Sequence, residues 1–338
     1  MSGSGDHGLP GLNMDRLAEL VREAIPRCEL DLSGSVVLTE AATGAYVVTP
    51  IMAALAGADR VYAVTRSTRH GTAEDVALVT RRLAEITGVS DRVELVCEKS
   101  PMVVAEADIV TNSGHVRPID AAMVDLMKPG AVIPLMYEAW EYREGDVDLA
   151  ACGRRNIRVT GTNERHQSVD VFSFLGIMAV KLLLDAGVAV YGCRIALLCG
   201  NPFEPFIVQG LVAAGATVEV AGSVDELDGT TFDAVLVARK PFEAHALQPD
   251  DLARIGERWT GAVVAVYWGD VDRAEVAQAG LRAWPEIAPP AGHMGILPSG
   301  VGPEPIVRLQ SGGLKAAEAM WRHADDPTHP DHAYGQPL

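Results

Sequence analysis

The feature that most constrains this chain is an alternation of short, β-rich apolar runs with longer segments of helical period, and this alternation occurs twice. Strands that alternate with helices form parallel sheets, because each right-handed crossover packs its helix on a face of the sheet. The first series contains enough strands for one doubly wound domain. We place this first Rossmann-like domain at residues 31–166, with strands at residues 35–38, 60–64, 93–96, 108–111, 131–135 and 157–160.

The second series follows an apolar helix that the pattern predicts over residues 168–186. The chain is therefore predicted to be an α/β protein of two Rossmann-like doubly wound parallel-sheet domains joined by a long interdomain helix. The predicted division is an N-terminal tail and helix at 1–30, the first domain at 31–166, the linker helix at 167–187, the second domain at 188–292, a loop and helix returning to the first domain at 293–322, and a disordered tail at 323–338.

The charge and cysteine content narrow the class of protein. The chain has 45 acidic and 28 basic residues, a formal net charge of −17. That field repels polyanions, so we expect no nucleic acid and no membrane as partner, while a small-molecule anion in a local basic pocket stays possible. Five cysteines without a CxxC pair and the lack of a signal peptide predict reduced thiols in a cytoplasmic protein. No metal site is predicted, although the tail contains conceivable ligands: Asp325, Asp326, His329, Asp331 and His332.

Two segments carry a family resemblance. Residues 145–163, GDVDLAACGRRNIRVTGTN, and the triplet His293-Met294-Gly295 are similar to conserved stretches of the D-isomer-specific 2-hydroxyacid dehydrogenase superfamily. The resemblance extends from about Ala107 to Met320 and implies an NAD- or NADP-dependent oxidoreductase that acts on a small polar or anionic substrate in the cleft between two domains. It also implies that His293 is the general acid or base, that Glu286 is its carboxylate partner, and that the protein is a homodimer.

Two signatures of that family are altered. The second domain opens with Cys199-Gly-Asn-Pro-Phe-Glu204 where the family has GxGxxG, so side chains occupy the space that a pyrophosphate would need. Trp268 and Asp270 stand near the position of the arginine that holds the substrate carboxylate, for which Arg239 is the candidate substitute. These differences predict that the second domain does not bind a dinucleotide in the usual way.

The first domain offers another anion site. Thr43 and Gly44 follow its first strand at a predicted helix N-terminus, where backbone N–H groups attract anions. Arg66 and Arg69 follow its second strand, where dinucleotide-binding folds that accept a 2′-phosphate place arginines. We therefore interpret these four residues as candidate cofactor ligands. A solvated loop with ordinary helix capping by Thr43 is the alternative.

Polar side chains also follow the fourth and fifth strands of the first domain. Asn112 is a candidate cofactor ligand, His115 and Arg117 are candidate substrate ligands, and Tyr137 and Glu138 are candidate catalytic groups, because loops after parallel strands line the usual ligand crevice. Three functions stay open: an NAD(P)-dependent oxidoreductase; a non-redox transferase, lyase or S-adenosylmethionine-dependent methyltransferase; and a non-catalytic binding protein.

Overall fold

The computed structural model describes residues 13–229, 231–241 and 246–338. The chain divides into two compact units. The first comprises Met1–Val171 with Gly302–Leu338, and the second comprises Phe172–Val301. Residues 1–12, which belong to the predicted N-terminal tail, lie outside the described residues. No helix in the described ranges combines the length and the apolar character needed to cross a membrane.

The first unit contains a parallel sheet in the strand order of dinucleotide-binding folds. Six strands lie side by side in the order β6-β5-β4-β1-β2-β3, which is the 3-2-1-4-5-6 arrangement of the Rossmann fold. The direction of winding reverses between β1 and β4, which pair in parallel. The strands are β1 (Val36–Glu40), β2 (Arg60–Val64), β3 (Val93–Val96), β4 (Ile109–Val110), β5 (Val132–Pro134) and β6 (Arg158–Thr162).

Helices cover both faces of this sheet. Side chains alternate between the faces along each strand, so Val37 packs in one buried cluster and Leu38 in the other. Local sequence begins the helices, as where Thr72 and Asp148 accept capping hydrogen bonds from Asp75 and Ala151 N–H groups. The helices are α1 (Met14–Arg27), α2 (Val48–Leu55), α3 (Ala73–Thr87), α4 (Pro101–Glu106), α5 (Ala121–Leu126) and α6 (Leu149–Arg155).

The second unit is a smaller parallel sheet with its own core. Its five strands lie in the order β11-β10-β9-β7-β8, the flavodoxin-like arrangement, and the winding reverses between β7 and β9. The elements are α7 (Leu175–Asp185), β7 (Arg194–Leu198), α8 (Glu204–Ala213), β8 (Thr217–Ala221), β9 (Ala234–Ala238), α9 (Pro249–Arg258), β10 (Val263–Trp268), α10 (Arg273–Gln278) and β11 (Arg282–Trp284).

The C-terminal part of the chain completes the first unit. Helix α11 (Glu304–Arg322) contributes Ile306, Val307 and Leu314 to the core that α1 and α2 also fill. Strand β12 (Gly335–Gln336) then pairs antiparallel with β6 and becomes the outer strand of the sheet. The two predicted parallel-sheet folds are thus confirmed, and the first sheet has one antiparallel edge strand that the sequence pattern did not indicate.

Three predictions about individual segments are wrong. The helix predicted over 168–186 begins only at Leu175, because Asp170 has a left-handed φ of 47° and a 3-10 turn, Phe172–Phe174, comes first. The apolar spacing predicts the last helix from about Leu314 to Trp321, but the helix begins at Glu304. The tail at 323–338 is ordered, since a 3-10 turn (Pro330–Tyr334) and β12 follow α11.

Candidate functional site

The carboxyl ends of β1 and β4 meet in the first unit at the point where the sheet reverses its winding. Ligands of open α/β sheets bind at such points. A chain of buried hydroxyls lies there: Thr111 Oγ1 donates to Thr39 Oγ1 at 2.8 Å and lies 2.9 Å from Ser113 Oγ. The strand ends therefore present hydroxyl groups at this point, and all three hydroxyl side chains are buried.

Glu40 ends β1 at this point and orders the loop after β4. Its side chain is buried, and its Oε2 accepts from the His115 backbone N–H at 2.7 Å. A Cβ atom at Gly114 would lie only 3.2 Å from the same oxygen, so the glycine permits this close approach. His115 Nδ1 lies 3.4 Å from the Val64 carbonyl oxygen. A carbonyl accepts only, so the proton is assigned to Nδ1, which leaves the His115 Nε2 lone pair available.

Tyr137, Arg117 and Arg143 converge on a single carboxylate, Asp146. Tyr137 donates to Asp146 Oδ2 at 2.8 Å, and Arg117 Nη1 and Arg143 Nη2 lie 3.1 Å and 3.0 Å from the same oxygen. Burial, followed by the negative charge of Asp146, raises the pKa of the Tyr137 phenol far above its ordinary value. Tyr137 is therefore a hydrogen-bond donor across the physiological pH range, and the group carries a net positive charge.

Two buried polar atoms of this group, Asn112 Oδ1 and Arg117 Nε, lack a hydrogen-bond partner within the described part of the chain, as does Thr65 Oγ1 directly after β2. Asn112 is 1% exposed, and its Nδ2 donates to the Tyr137 hydroxyl at 3.0 Å. That bond orients the amide and leaves Oδ1 as a fixed acceptor. Because buried polar atoms are normally paired, Asn112 Oδ1 and Arg117 Nε indicate a place where a ligand that offers both a hydrogen-bond donor and an acceptor would bind.

The turn after β1 borders a cavity. Gly44 has a φ of +68°, and Thr43 makes no side-chain capping hydrogen bond, so the alternative of ordinary capping by Thr43 is wrong. A Cβ atom at Gly71 would lie 2.7 Å from Thr43 Cγ2, which brings the loop after β2 close to this turn. The cavity has a volume of about 370 Å³ and is lined by Thr43, Gly44, Val47, His70, Gly71, Asp75, Val76, Leu78 and Val79.

Three basic side chains lie on the loops after β2 and β3: Arg66, Arg69 and Lys99. Arg66 and Arg69 are exposed, and Arg69 Nε donates to His70 Nε2 at 3.1 Å. Lys99 Nζ donates to the Val116 carbonyl oxygen at 2.7 Å. Burial lowers the pKa of Lys99, the charge of Arg66 lowers it further, and Asp120 opposes them. Arg66 and Lys99 therefore lie close enough for their charges to interact.

A second group of carboxylates lies after β5 and β6. Glu138 is fully buried and accepts from Arg165 Nε at 3.1 Å and from the indole N–H of Trp140. Burial, then the charges of Glu141 and Glu138, raises the pKa of Glu164 well above its ordinary value. Glu138 is thus held in a structural network, and the predicted catalytic pair of Tyr137 and Glu138 falls into two separate hydrogen-bonded groups.

In the second unit, side chains of the segment 199–204, which replaces GxGxxG, lie between β7 and β9, where this sheet reverses its winding. Asn201 Nδ2 donates to the Ala238 carbonyl oxygen at 2.6 Å, and Cys199 Sγ contacts the same oxygen at 3.3 Å. Phe203 is buried and stacks on Trp268 with 5.4 Å between ring centroids. The substituted residues therefore bridge the two strand ends where glycines would leave space for a pyrophosphate.

Three predicted site residues lie in the second unit: Arg239, expected to bind substrate, and His293 with Glu286, expected to act as a catalytic pair. Arg239 donates from Nη1 to the Ala246 carbonyl oxygen at 2.8 Å and from Nη2 to the Gly222 carbonyl oxygen, which ties two loops together. His293 is exposed and its Nδ1 lies 3.1 Å from the Ala291 carbonyl oxygen. Glu286 is also exposed, and among the described residues no hydrogen bond or ion pair joins it to His293.

Sequence reasoning missed Glu40, Lys99 and Asp146. Glu40 and Lys99 follow β-rich runs, so the rule that selected Asn112 could have selected them as well. Asp146 lies in the segment 145–163 that resembles the dehydrogenase family, but its contacts with Arg117 and Tyr137 appear only in the structure, because it follows no predicted strand.

No protein-family model matches the chain, and no curated protein matches its sequence. Solved structures match its fold. A dipicolinate synthase chain from Bacillus halodurans is 12% identical, with a TM-score of 0.53 over 88% of this chain and 100% of that chain. A dipicolinate synthase chain from Bacillus subtilis is 13% identical, with a TM-score of 0.56 over 88% of this chain and 99% of that chain.

The chain is similar in fold to these two dipicolinate synthase chains. A weaker similarity relates it to the 3-phosphoglycerate dehydrogenase of Entamoeba histolytica, with a TM-score of 0.46, 12% identity and coverage of 90% of this chain and 100% of that chain. At these identities the likeness to solved structures concerns the two-domain α/β fold alone.

Proposed function

We propose that the protein is an NAD- or NADP-dependent oxidoreductase that acts on a small polar or anionic substrate. It binds its dinucleotide on the first unit, beyond the carboxyl ends of β1, β2 and β4. The observation that carries this proposal is a difference between the two units at the point where each sheet reverses its winding. In the first unit, buried polar atoms at the strand ends lack partners within the described ranges. In the second unit, Cys199 and Asn201 bridge the strand ends.

The residues of the first unit fit a dinucleotide. Thr43 and Gly44 begin a 3-10 turn (Gly44–Val47), so α2 itself starts four residues after Gly44, and the backbone N–H groups of this turn would face a pyrophosphate. Arg66 and Lys99 supply positive charge after β2 and β3, and Arg66 is at the position that favours the 2′-phosphate of NADP. Asn112 Oδ1 is a fixed acceptor suited to an amide or hydroxyl donor.

A neighbouring side chain can accept or release the proton that accompanies hydride transfer. A bound nicotinamide supplies hydride transfer, so a protein group must bind or release the proton when a carbonyl and a hydroxyl interconvert. His115 faces the Val64 carbonyl oxygen through Nδ1, so Nε2 is the ring nitrogen that could accept the proton. Tyr137 stays protonated and positions Asn112 and Asp146. The catalytic role of His293, the homodimer and the cytoplasmic location stay predictions.

The experiment is a binding titration of NADP, NAD, ATP and S-adenosylmethionine, read by thermal shift and calorimetry. We expect NADP or NAD to bind and Arg66→Ala with Arg69→Ala to weaken NADP binding more than tenfold, because each charge-assisted contact to phosphate contributes about 1.5–3 kcal/mol. NAD, which lacks the 2′-phosphate, should be affected less.

The matched control is Arg81→Ala with Arg82→Ala, which removes the same charge from the exposed side of α3. Equal loss in both double variants would assign the effect to net charge and contradict the proposed site. Binding of ATP or S-adenosylmethionine without binding of either dinucleotide would contradict the redox function and favour the non-redox alternative.

A further inference from the structure

The end of α11 and the C-terminal segment bring three metal-ligating side chains together in the first unit. His323 follows the last residue of α11, and His329 and Asp331 lie at the start of the 3-10 turn Pro330–Tyr334. Their ligand atoms all lie within 4.8 Å of one another. Asp331 Oδ2 is 3.8 Å from His323 Nε2 and 3.9 Å from His329 Nδ1. We call these three residues the tail triad.

The donor set of the tail triad is that of a zinc site. Two imidazoles and one carboxylate are the ligands of several three-residue zinc sites, in which water takes the fourth position. Tetrahedral bonds of about 2.0–2.1 Å place ligand atoms about 3.4 Å apart, so the observed separations need to contract by only about 0.4–1.4 Å. The three side chains are 20–31% exposed, which leaves a path for an ion and for water.

Neighbouring contacts hold the triad in place. Lys315 Nζ lies 2.7 Å from Asp331 Oδ2 and 2.9 Å from Glu318 Oε1, so the carboxylate of Asp331 is oriented and Glu318 offsets the lysine charge. His332 Nε2 lies 3.1 Å from the carbonyl oxygens of both His323 and Asp326, which fixes the connection between α11 and the turn. Ligands held by surrounding hydrogen bonds bind metals more tightly than free side chains do.

The two imidazoles of the triad already lie against each other. The rings of His323 and His329 are stacked, with 3.4 Å between centroids and 9° between planes. An ion bound through a ring nitrogen lies near the plane of that ring, so binding requires one ring to rotate out of the stack. His329 Nδ1 accepts a hydrogen bond from the Asp331 backbone N–H at 3.3 Å, and an ion bound through that nitrogen would take the place of this bond.

We propose that His323, His329 and Asp331 form a binding site for one divalent transition-metal ion of the zinc type, which ties the C-terminal segment to the end of α11. This site is separate from the strand ends proposed for the dinucleotide, so either proposal can fail without the other. Because β12 belongs to the segment after the triad, an ion at this position would stabilise the outer edge of the sheet.

The test is a titration of the full-length, tag-free and chelator-treated chain with Co²⁺, followed by displacement with Zn²⁺. We expect one Co²⁺ per chain, with the visible absorption of a four-coordinate ion, and loss of that absorption when Zn²⁺ is added. His323→Gln and His329→Gln should each raise the dissociation constant at least tenfold while the circular dichroism spectrum stays that of the wild type.

The matched control is Asp325→Asn, since Asp325 belongs to the same segment and is exposed but lies outside the triad. It should bind Co²⁺ as the wild type does. The proposal is overturned if the wild-type chain shows no stoichiometric Co²⁺ absorption, if either triad variant binds unchanged, or if Asp325→Asn loses binding as fully as the triad variants. If either glutamine variant changes the circular dichroism spectrum, the alanine variant of the same histidine takes its place and should also lose the Co²⁺ absorption.

Discussion

Single residues in this protein show how burial sets the charge of a carboxyl group. Asp146 stays a hydrogen-bond acceptor because Arg117, Arg143 and Tyr137 all donate to it. Glu164 has the opposite surroundings, since it is buried and faces the negative charges of Glu141 and Glu138. Hydrogen-bond donors thus surround the carboxyl group of Asp146, whereas burial and neighbouring negative charges raise the pKa of the carboxyl group of Glu164.

Glu164 gives a pH prediction. Its pKa in the folded protein is raised above the ordinary value of 4.5, so the folded state keeps a proton that the unfolded state has lost. Stability due to this group is present below that ordinary value and falls as pH rises towards the folded pKa, by at most about 1.4 kcal/mol per pH unit. Glu164→Gln should therefore become more stable than the wild type as pH rises.

Urea unfolding between pH 4 and pH 8 measures this difference. Glu144→Gln, at an exposed position of the same unit, is the matched control and should differ from the wild type by a constant amount. A Glu164→Gln variant whose stability relative to the wild type does not change with pH would show that the carboxyl is ionised in the folded protein.

At the scale of elements, two helices of the second unit pack closely because each has a glycine at the contact. A Cβ atom built on Gly176 of α7 would lie 2.7 Å from both Gly210 Cα and the Phe206 carbonyl oxygen of α8. Backbone atoms cannot yield as the end of a flexible side chain does, so the distance between these helices depends on the glycines. The sequence pattern predicts both helices, but it does not indicate that they touch.

Gly176→Ala should therefore lower the free energy of unfolding by about 1–3 kcal/mol, the usual cost of overpacking a close contact. Gly153→Ala in α6 is the control, since no atom lies within 4 Å of its built Cβ. In a helix interior that change should be neutral or stabilising by up to about 1 kcal/mol. Chemical denaturation of the two variants compares them, and equal effects would contradict the packing argument.

At the scale of the whole molecule, the first unit is assembled from both ends of the chain. Lys315 of α11 donates to the Glu29 carbonyl oxygen at 2.9 Å, and Glu318 accepts from the Asp31 backbone N–H at 2.8 Å. Burial lowers the pKa of Lys315, but hydrogen bonds to Asp331 and Glu318 outweigh it and raise the pKa overall. A charged, buried lysine thus joins the residues after α1 to the C-terminal segment.

Lys315→Met should lower the free energy of unfolding by about 3–5 kcal/mol, because it leaves two carboxylates near one another without their cation. Lys181→Met is the matched control: Lys181 pairs with Asp185 on α7, and both side chains are 41% exposed. Such exposed pairs contribute about 0–1 kcal/mol. Denaturant titrations at neutral pH measure both, and a small effect at Lys315 would mean that the buried cluster is dispensable.

The amino-acid sequence by itself indicated most strands and helices of the two parallel sheets. The spacing of apolar residues, the positions of Gly and Pro and the capping residues are local signals, so the strand predicted at residues 60–64 matches β2 and the helix that the pattern indicates at residues 149–155 matches α6. The altered fingerprint was equally readable, since it needs only the side chains of Cys199 and Asn201 to occupy space that glycines would leave open.

Only the tertiary structure decided which side chains meet. The contacts of Asp146 with Arg117, of Lys315 with Asp331, and of β12 with β6 join parts of the chain that the local pattern treats separately. The polar tail was predicted to be disordered because its own residues bury little apolar surface, yet the edge of β6 and the buried Lys315 supply the hydrogen bonds that order it. The energies of these contacts depend on which residues lie close together in the folded chain. The spacing of apolar residues and the composition do not indicate that proximity.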